Sequence, residues 1–262
     1  MNCRGGLNPP SPKNMRWIYL SPHFDYAVLS CGGLIFEQSR QGLQTEIWTI
    51  FAGDAPAGPL SPLALRCHVD WGIPDVHELV AVRREEDQAA AAIVGAELLH
   101  FSLPDCIYRR SADGEPLYPD EVFVPFHPFD RGLDADIAAV LAAGLVLDDI
   151  LISPLAIGEH VDHRLARLAA ERLDRPLRYY ADIPYVFRRP ETLAPATQSM
   201  ASDPFPVSEE GLHAWISGSA AYQTQMVMLF ESETKMAACL RADWETRRGI
   251  SLAHYQFSQP SI

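Results

Sequence analysis

Two short stretches carry most of the reactive side chains of this sequence: SPHFDY at 21–26 and GEHVDHR at 158–164. Together they bring three imidazoles close to the carboxylates of Asp25 and Asp162. Imidazole suits zinc, and a catalytic zinc typically takes three protein ligands and keeps a fourth position for water. Histidines and carboxylates are also the common general acids and bases. A lone histidine after a strand is ordinarily a loop or capping residue. H-x-D-H is different, because two histidines and an acid within four positions, at the opening of a helix, are not explained by packing. His160, Asp162 and His163 therefore read as metal or acid–base groups.

These residues act together only if the elements around them bring them together. RWIYLS (16–21) reads as a buried strand, residues 27–41 as a helix with Gly42 suited to its end, and EIWTIFAG (46–53) as a second strand. A helix over 77–95 and a strand over 97–103 follow, then a helix over 134–144, a strand over 149–155, a helix over 163–173 and a strand over 177–183. Strands alternating with helices imply a mainly parallel, Rossmann-like sheet in a three-layer α/β/α sandwich. His23 and Asp25 then lie at the C-terminal end of the first strand, and His160, Asp162 and His163 at that of the 149–155 strand. In such sheets the ligand binds beyond that edge. Two long irregular stretches, 53–76 and 104–132, lie on the same side, and loops of that length are usually functional. Residues 208–230 and 231–248 look helical. We expect residues 15–262 to form a single domain and residues 1–14, rich in Pro and Gly, to be a disordered tail.

Composition narrows the partners. With 48% hydrophobic residues the chain can bury a substantial core, and its net charge of −13 argues against nucleic acid or an anionic membrane. A neutral or cationic small molecule fits better. The richest apolar window is broken by Asp148 and Asp149, and the first residues have no apolar signal stretch. Five scattered cysteines without a C-x-x-C pair point away from disulfides and cysteine zinc sites. The expectation is a soluble, reduced, cytoplasmic protein. No G-x-S-x-G elbow supports serine-hydrolase chemistry.

Taken in order, SPHFDY, RREE (83–86), LPD (103–105) and HVDH (160–163), followed by YYADIPY (179–185), resemble the LmbE-like, or PIG-L, family of zinc-dependent N-deacetylases. Its members remove acetyl from N-acetylglucosamine units, so the resemblance implies a small amino-sugar conjugate as substrate. It also implies zinc as cofactor, although an imidazole-rich site accepts another divalent metal such as iron(II). His23 and His163 would be metal ligands and Asp25 the general base. A protonated His160 would face the oxyanion, with Asp162 holding and charging its ring. Arg83 and Asp105 would contact sugar hydroxyls. By charge pattern alone Arg83 belongs to a solvated helix face, and only the resemblance raises it above that.

The chain departs from the pattern at one ligand. The family motif P-H-x-D-D carries a second acid as third ligand, and here that position is Tyr26. Three readings follow: metal held by His23 and His163 plus another group such as Glu159 or water, Tyr26 as a true ligand in an enlarged pocket, or loss of the metal. The corresponding functions are a zinc-dependent deacetylase and a metal-free or impaired relative that binds a sugar conjugate. Around the site, His127 is a possible spare ligand in an aromatic loop, Trp71 and Tyr108 are candidate wall residues, and one of Tyr179, Tyr180 and Tyr185 is placed to face the pocket. Gly32 and Gly33 read as close helix–sheet packing.

Overall fold

The computed structural model describes residues 15–255. The expected tail at 1–14 lies outside them. The elements run β1 (Arg16–Ser21), α1 (Tyr26–Arg40), β2 (Gln44–Thr49), α2 (Pro62–Trp71), α3 (Val76–Val94), β3 (Glu97–His100), α4 (Leu133–Gly144), β4 (Ile150–Pro154), α5 (Val161–Glu171) and β5 (Leu177–Tyr180). Then come two single-turn helices, α6 (Tyr185–Arg188) and α7 (Leu193–Ala196), followed by β6 (Met200–Pro206), α8 (Glu209–Ala220), α9 (Gln223–Phe230), α10 (Glu233–Arg247) and β7 (Gly249–Tyr255). One seven-stranded sheet has the order β3-β2-β1-β4-β5-β7-β6. Strands β1 to β5 pair in parallel, and β7 pairs antiparallel with both β5 and β6.

The sheet is covered on both faces, which explains why β1 has no polar alternation. Successive residues of a strand point to opposite faces. Trp17 and Tyr19 accordingly join one core with α1, α3 and α8, whereas Ile18 and Leu20 join another with α4 and α5. Gly32 and Gly33 do serve close packing, but against α8 and the segment that leads into it rather than the sheet. A Cβ at either would stand 2.8 Å from a neighbour, the Trp215 ring of α8 for Gly32 and Val207 for Gly33.

The long stretches are more ordered than their sequence suggested. Residues 53–76 contain α2, whose N-cap Ser61 accepts the Ala64 N–H at 3.1 Å ahead of Pro62. Together with 104–132 they enclose a third core around Trp71, Leu79, Tyr108 and Tyr118. The strands β6 and β7 were not anticipated. β6 carries Pro204 and Pro206, which an edge strand tolerates because one side of its backbone has no partner. Among the described residues, no helix is long and apolar enough to cross a membrane.

At the edge away from the histidines, Arg16 Nε donates to Asp149 Oδ1 at 2.9 Å, and Nη1 reaches Glu46 Oε1 at 3.2 Å. Asp149 also accepts the Val146 N–H at 2.7 Å, closing the turn that separates α4 from β4. Burial opposes the Asp149 charge, but Arg16 and that N–H outweigh it and lower its pKa. A depressed carboxylate contributes stability above its unfolded pKa and loses it as pH falls through the folded value. Asp149→Asn is therefore expected to lower the melting temperature at neutral pH and to flatten its fall on acidification. A parallel acid limb in thermal melts of the variant would contradict this.

Candidate active site

The strand order reverses between β1 and β4: β2 follows β1 on one side, while β4 lies on the other. Ligands of open α/β sheets sit in the crevice at such a switch point. His23 and Asp25 follow β1, and His160 and His163 open α5 after β4. His23, Asp25 and His160 line a cavity of about 370 Å³, within the range of small-molecule sites, and His163 lies buried behind them. One ring nitrogen each from His23, His160 and His163 lies within 4.8 Å of the others.

Each histidine is held differently. His163 is fully buried, and its Nδ1 meets Asp182 Oδ1 at 2.6 Å, so Nδ1 donates to the carboxylate and the neutral ring keeps its lone pair on Nε2. That Nε2 is buried without a hydrogen-bond partner. His23 Nδ1 lies 3.1 Å from Asp105 Oδ2 and Nε2 3.5 Å from Asp162 Oδ2, yet neither nitrogen completes a directed hydrogen bond. Burial works against a charge on His23, but Asp105 and Asp162 outweigh it and raise its pKa. His160 is the N-cap of α5, and its Nδ1 accepts the Asp162 N–H at 3.2 Å. In the neutral ring the proton then sits on Nε2, which lies 4.0 Å from Cys106 Sγ and is available as a donor.

Asp25 occupies the N-cap of α1 without capping it, and its Oδ1 has no hydrogen-bond partner. Burial raises its pKa, while Arg83 and His23 restrain the rise. Arg83 is clamped between Phe24 and Trp71, 5.0 Å from each ring, with nitrogens 3.9 Å from Asp25 and 3.8 Å from Asp105.

Several expectations are corrected by this geometry. Asp162 does not charge His160: its carboxylate takes Arg109 Nη1 at 2.6 Å and the Cys106 N–H at 2.9 Å. A buried guanidinium competes better for a carboxylate than a neutral imidazole does. A charge on His160 is disfavoured as well: burial, then His23 and His163, push its pKa well below the ordinary histidine value. Asp105 does line the cavity, where its Oδ1 accepts the Ile107 N–H at 3.1 Å and its Oδ2 lies 3.1 Å from His23 Nδ1. Glu159 is exposed and lies 3.7 Å from Arg164, away from the histidines. His127 caps a short turn and stacks on Phe129. Tyr108 anchors its loop through His68 at 2.8 Å, whereas Trp71 and Tyr185 line the cavity. The Tyr26 hydroxyl donates to the Tyr185 hydroxyl at 2.9 Å, and burial, with Tyr185 and Asp25, raises its pKa well above the ordinary phenol value.

Sequence reading missed Asp182 and Arg109. Asp182 stands just past the end of β5 on the same sheet edge, a position that could have betrayed it. Arg109 lies in an irregular stretch with no such signal.

Residues 18–173 match the family model PIG-L, described as GlcNAc-PI de-N-acetylase. The chain belongs to the PIG-L family. By that membership it is an N-deacetylase, a hydrolase of amide bonds. A 2'-N-acetylparomamine deacetylase of Niallia circulans is 28% identical over 242 residues, 84% of this chain and 85% of the relative. Among solved structures, a deacetylase of teicoplanin biosynthesis in a bog complex matches with a TM-score of 0.79 and 27% identity, covering 94% of this chain and all of that one. The zinc-inhibited form of teicoplanin deacetylase Orf2 matches at 0.77 and 28%, over 94% of this chain and 100% of that one. The first of these relatives is named for an N-acetylated compound, and the two structures for teicoplanin or its biosynthesis.

The donor set fits a metal. Two buried imidazoles present unpartnered Nε2 atoms, and each has a carboxylate beside Nδ1, the arrangement that orients histidine ligands.

Proposed function

We propose that this PIG-L protein is a zinc-dependent hydrolase that removes acetyl from an N-acetylated amino sugar or glycoconjugate. The observation that carries the reading is the division of labour among three histidines: two keep Nε2 free beside carboxylates, and the third offers Nε2–H as a donor. His23 and His163 would hold the metal. Bound zinc would supply the Lewis acidity that activates both water and a poorly electrophilic amide. Asp25 accepts the proton of the attacking water and returns it to the leaving amine. Arg83 holds Asp25 in place and restrains the rise in its pKa. His160 donates to the developing oxyanion as a neutral imidazole, in place of the charged ring first expected. Trp71 and Phe123 offer apolar faces against which a sugar can lie.

Tyr26 and Glu159 both face other partners, so this chain is expected to hold its metal through fewer protein ligands than the family pattern and to lose it more readily on dialysis. The deciding experiment measures zinc per chain by mass spectrometry together with acetate release from N-acetylglucosamine conjugates and an acetylated aminoglycoside. Turnover that chelation abolishes and zinc restores is the expected result. A fully zinc-loaded chain that binds these sugars but releases no acetate would instead be the non-catalytic relative.

A further inference from the structure

The tyrosine at position 26 builds something in place of the acid. Its ring stacks on Tyr185 with centroids 5.8 Å apart and planes 12° apart, and its hydroxyl donates to that of Tyr185. His163 and Phe123 hold Tyr185 edge-on, with centroid distances of 5.5 Å and 5.9 Å. Gly158 makes room for it, since a Cβ there would stand 2.5, 2.6 and 2.7 Å from three carbons of the Tyr185 ring. Four residues thus fix the place of one phenol.

A hydroxyl that accepts one hydrogen bond still has its own proton to give. Among the described residues nothing accepts the proton of Tyr185, and its side chain lines the cavity. Accepting from Tyr26 polarises that O–H and strengthens it as a donor. Depth decides what it meets. Tyr26, Tyr185 and His160 are buried beside Asp25, whereas Phe123 and Met228, exposed by 49% and 40%, form the rim. A substrate must bring its acyl group to Asp25 and leave its sugar toward the rim.

We propose that Tyr185 is a catalytic hydrogen-bond donor to the acyl carbonyl oxygen as it becomes an oxyanion, and that Tyr26 is its positioning residue rather than a metal ligand. The role rests on the deacetylase reading. It involves no proton transfer: the proton stays on Tyr185 while the hydrogen bond strengthens.

The test compares the zinc-loaded full chain with Tyr185→Phe, Tyr26→Phe, the double variant and Gly158→Ala, which keeps both hydroxyls but displaces the ring. Tyr185→Phe is expected to lower kcat about 100-fold, as loss of one oxyanion donor does elsewhere, with KM changed less than about twofold. Tyr26→Phe lowers kcat less and adds nothing in the Tyr185→Phe background, because the two act as one unit. Gly158→Ala lowers kcat with both hydroxyls retained. Zinc per chain stays constant throughout. A methylphosphonamide of glucosamine, a tetrahedral mimic of the acetamide, binds more weakly in step with kcat/KM, while N-acetylglucosamine binding is unchanged.

Normal kcat in Tyr185→Phe, a loss confined to KM, or loss of zinc in Tyr26→Phe would each overturn the proposal. The deacetylase reading fails separately. A parent chain that releases no acetate yet prefers the mimic over the amide, a preference erased by Tyr185→Phe, upholds Tyr185 without turnover. A parent with neither turnover nor that preference defeats both.

Discussion

Asp25→Asn is expected to lower kcat by about 10³-fold, near the middle of the range for a lost general base, with zinc per chain and fold intact. The side chain is 1% exposed, makes no capping bond, and leaves Oδ1 without a hydrogen-bond partner. Its charge faces Arg83 at 3.9 Å, beyond hydrogen-bond distance. Asparagine has nearly the same shape, so the substitution removes basicity and little else. Its effect on stability should even run the other way. A carboxyl whose folded pKa is raised by burial is destabilising once pH exceeds its unfolded value, and asparagine lacks that penalty. Arg83 loses one neighbour but keeps Asp105 at 3.8 Å. The variant should therefore melt no lower than the parent at neutral pH while being nearly inactive, the usual conflict between stability and an active site. Acetate release, zinc content and a thermal melt on one preparation check this. Activity within about tenfold of the parent would place the general base elsewhere.

Arg109→Ala should be the most destabilising single change around the site. The guanidinium is 7% exposed, bonds Asp162 Oδ1 at 2.6 Å and Asp130 Oδ2 at 2.8 Å, and lies 5.1 Å from the Phe51 ring centroid. Removing one partner from a buried ion pair leaves uncompensated charge and costs about 3–5 kcal/mol. Here it strands two carboxylates. For a chain of this size the loss corresponds to a fall in Tm of roughly 6–20 °C. Function should suffer as well, because Asp162 stands 3.5 Å from His23 Nε2 and ties down the Cys106 N–H. Arg109→Lys should recover only part of the loss, since an ammonium lacks the planar fork that serves both acids. Differential scanning calorimetry of the two variants decides the matter. A Tm within a few degrees of the parent in Arg109→Ala would show that Asp130 and Asp162 are not held as the geometry indicates.

The sequence by itself determined the sheet, the edge and the chemistry. The buried run of β1, the alternation of strands and helices, and the histidines following β1 and β4 place His23, Asp25, His160 and His163 in one crevice, because parallel strands put all their C-terminal ends on one side. Local rules suffice for that: hydrophobic period, helix length and the spacing of H-x-D-H. Only the tertiary structure decided which partner each group received. That Asp182 orients His163, that Arg109 rather than His160 takes the Asp162 carboxylate, and that Tyr26 turns to Tyr185 all follow from chain paths through the long loops and beyond β5. Those segments carry no periodicity, and their contacts join residues far apart in sequence. A side chain's type announces which bonds it can make, but competition among neighbours in a buried, low-dielectric space decides which ones it does make.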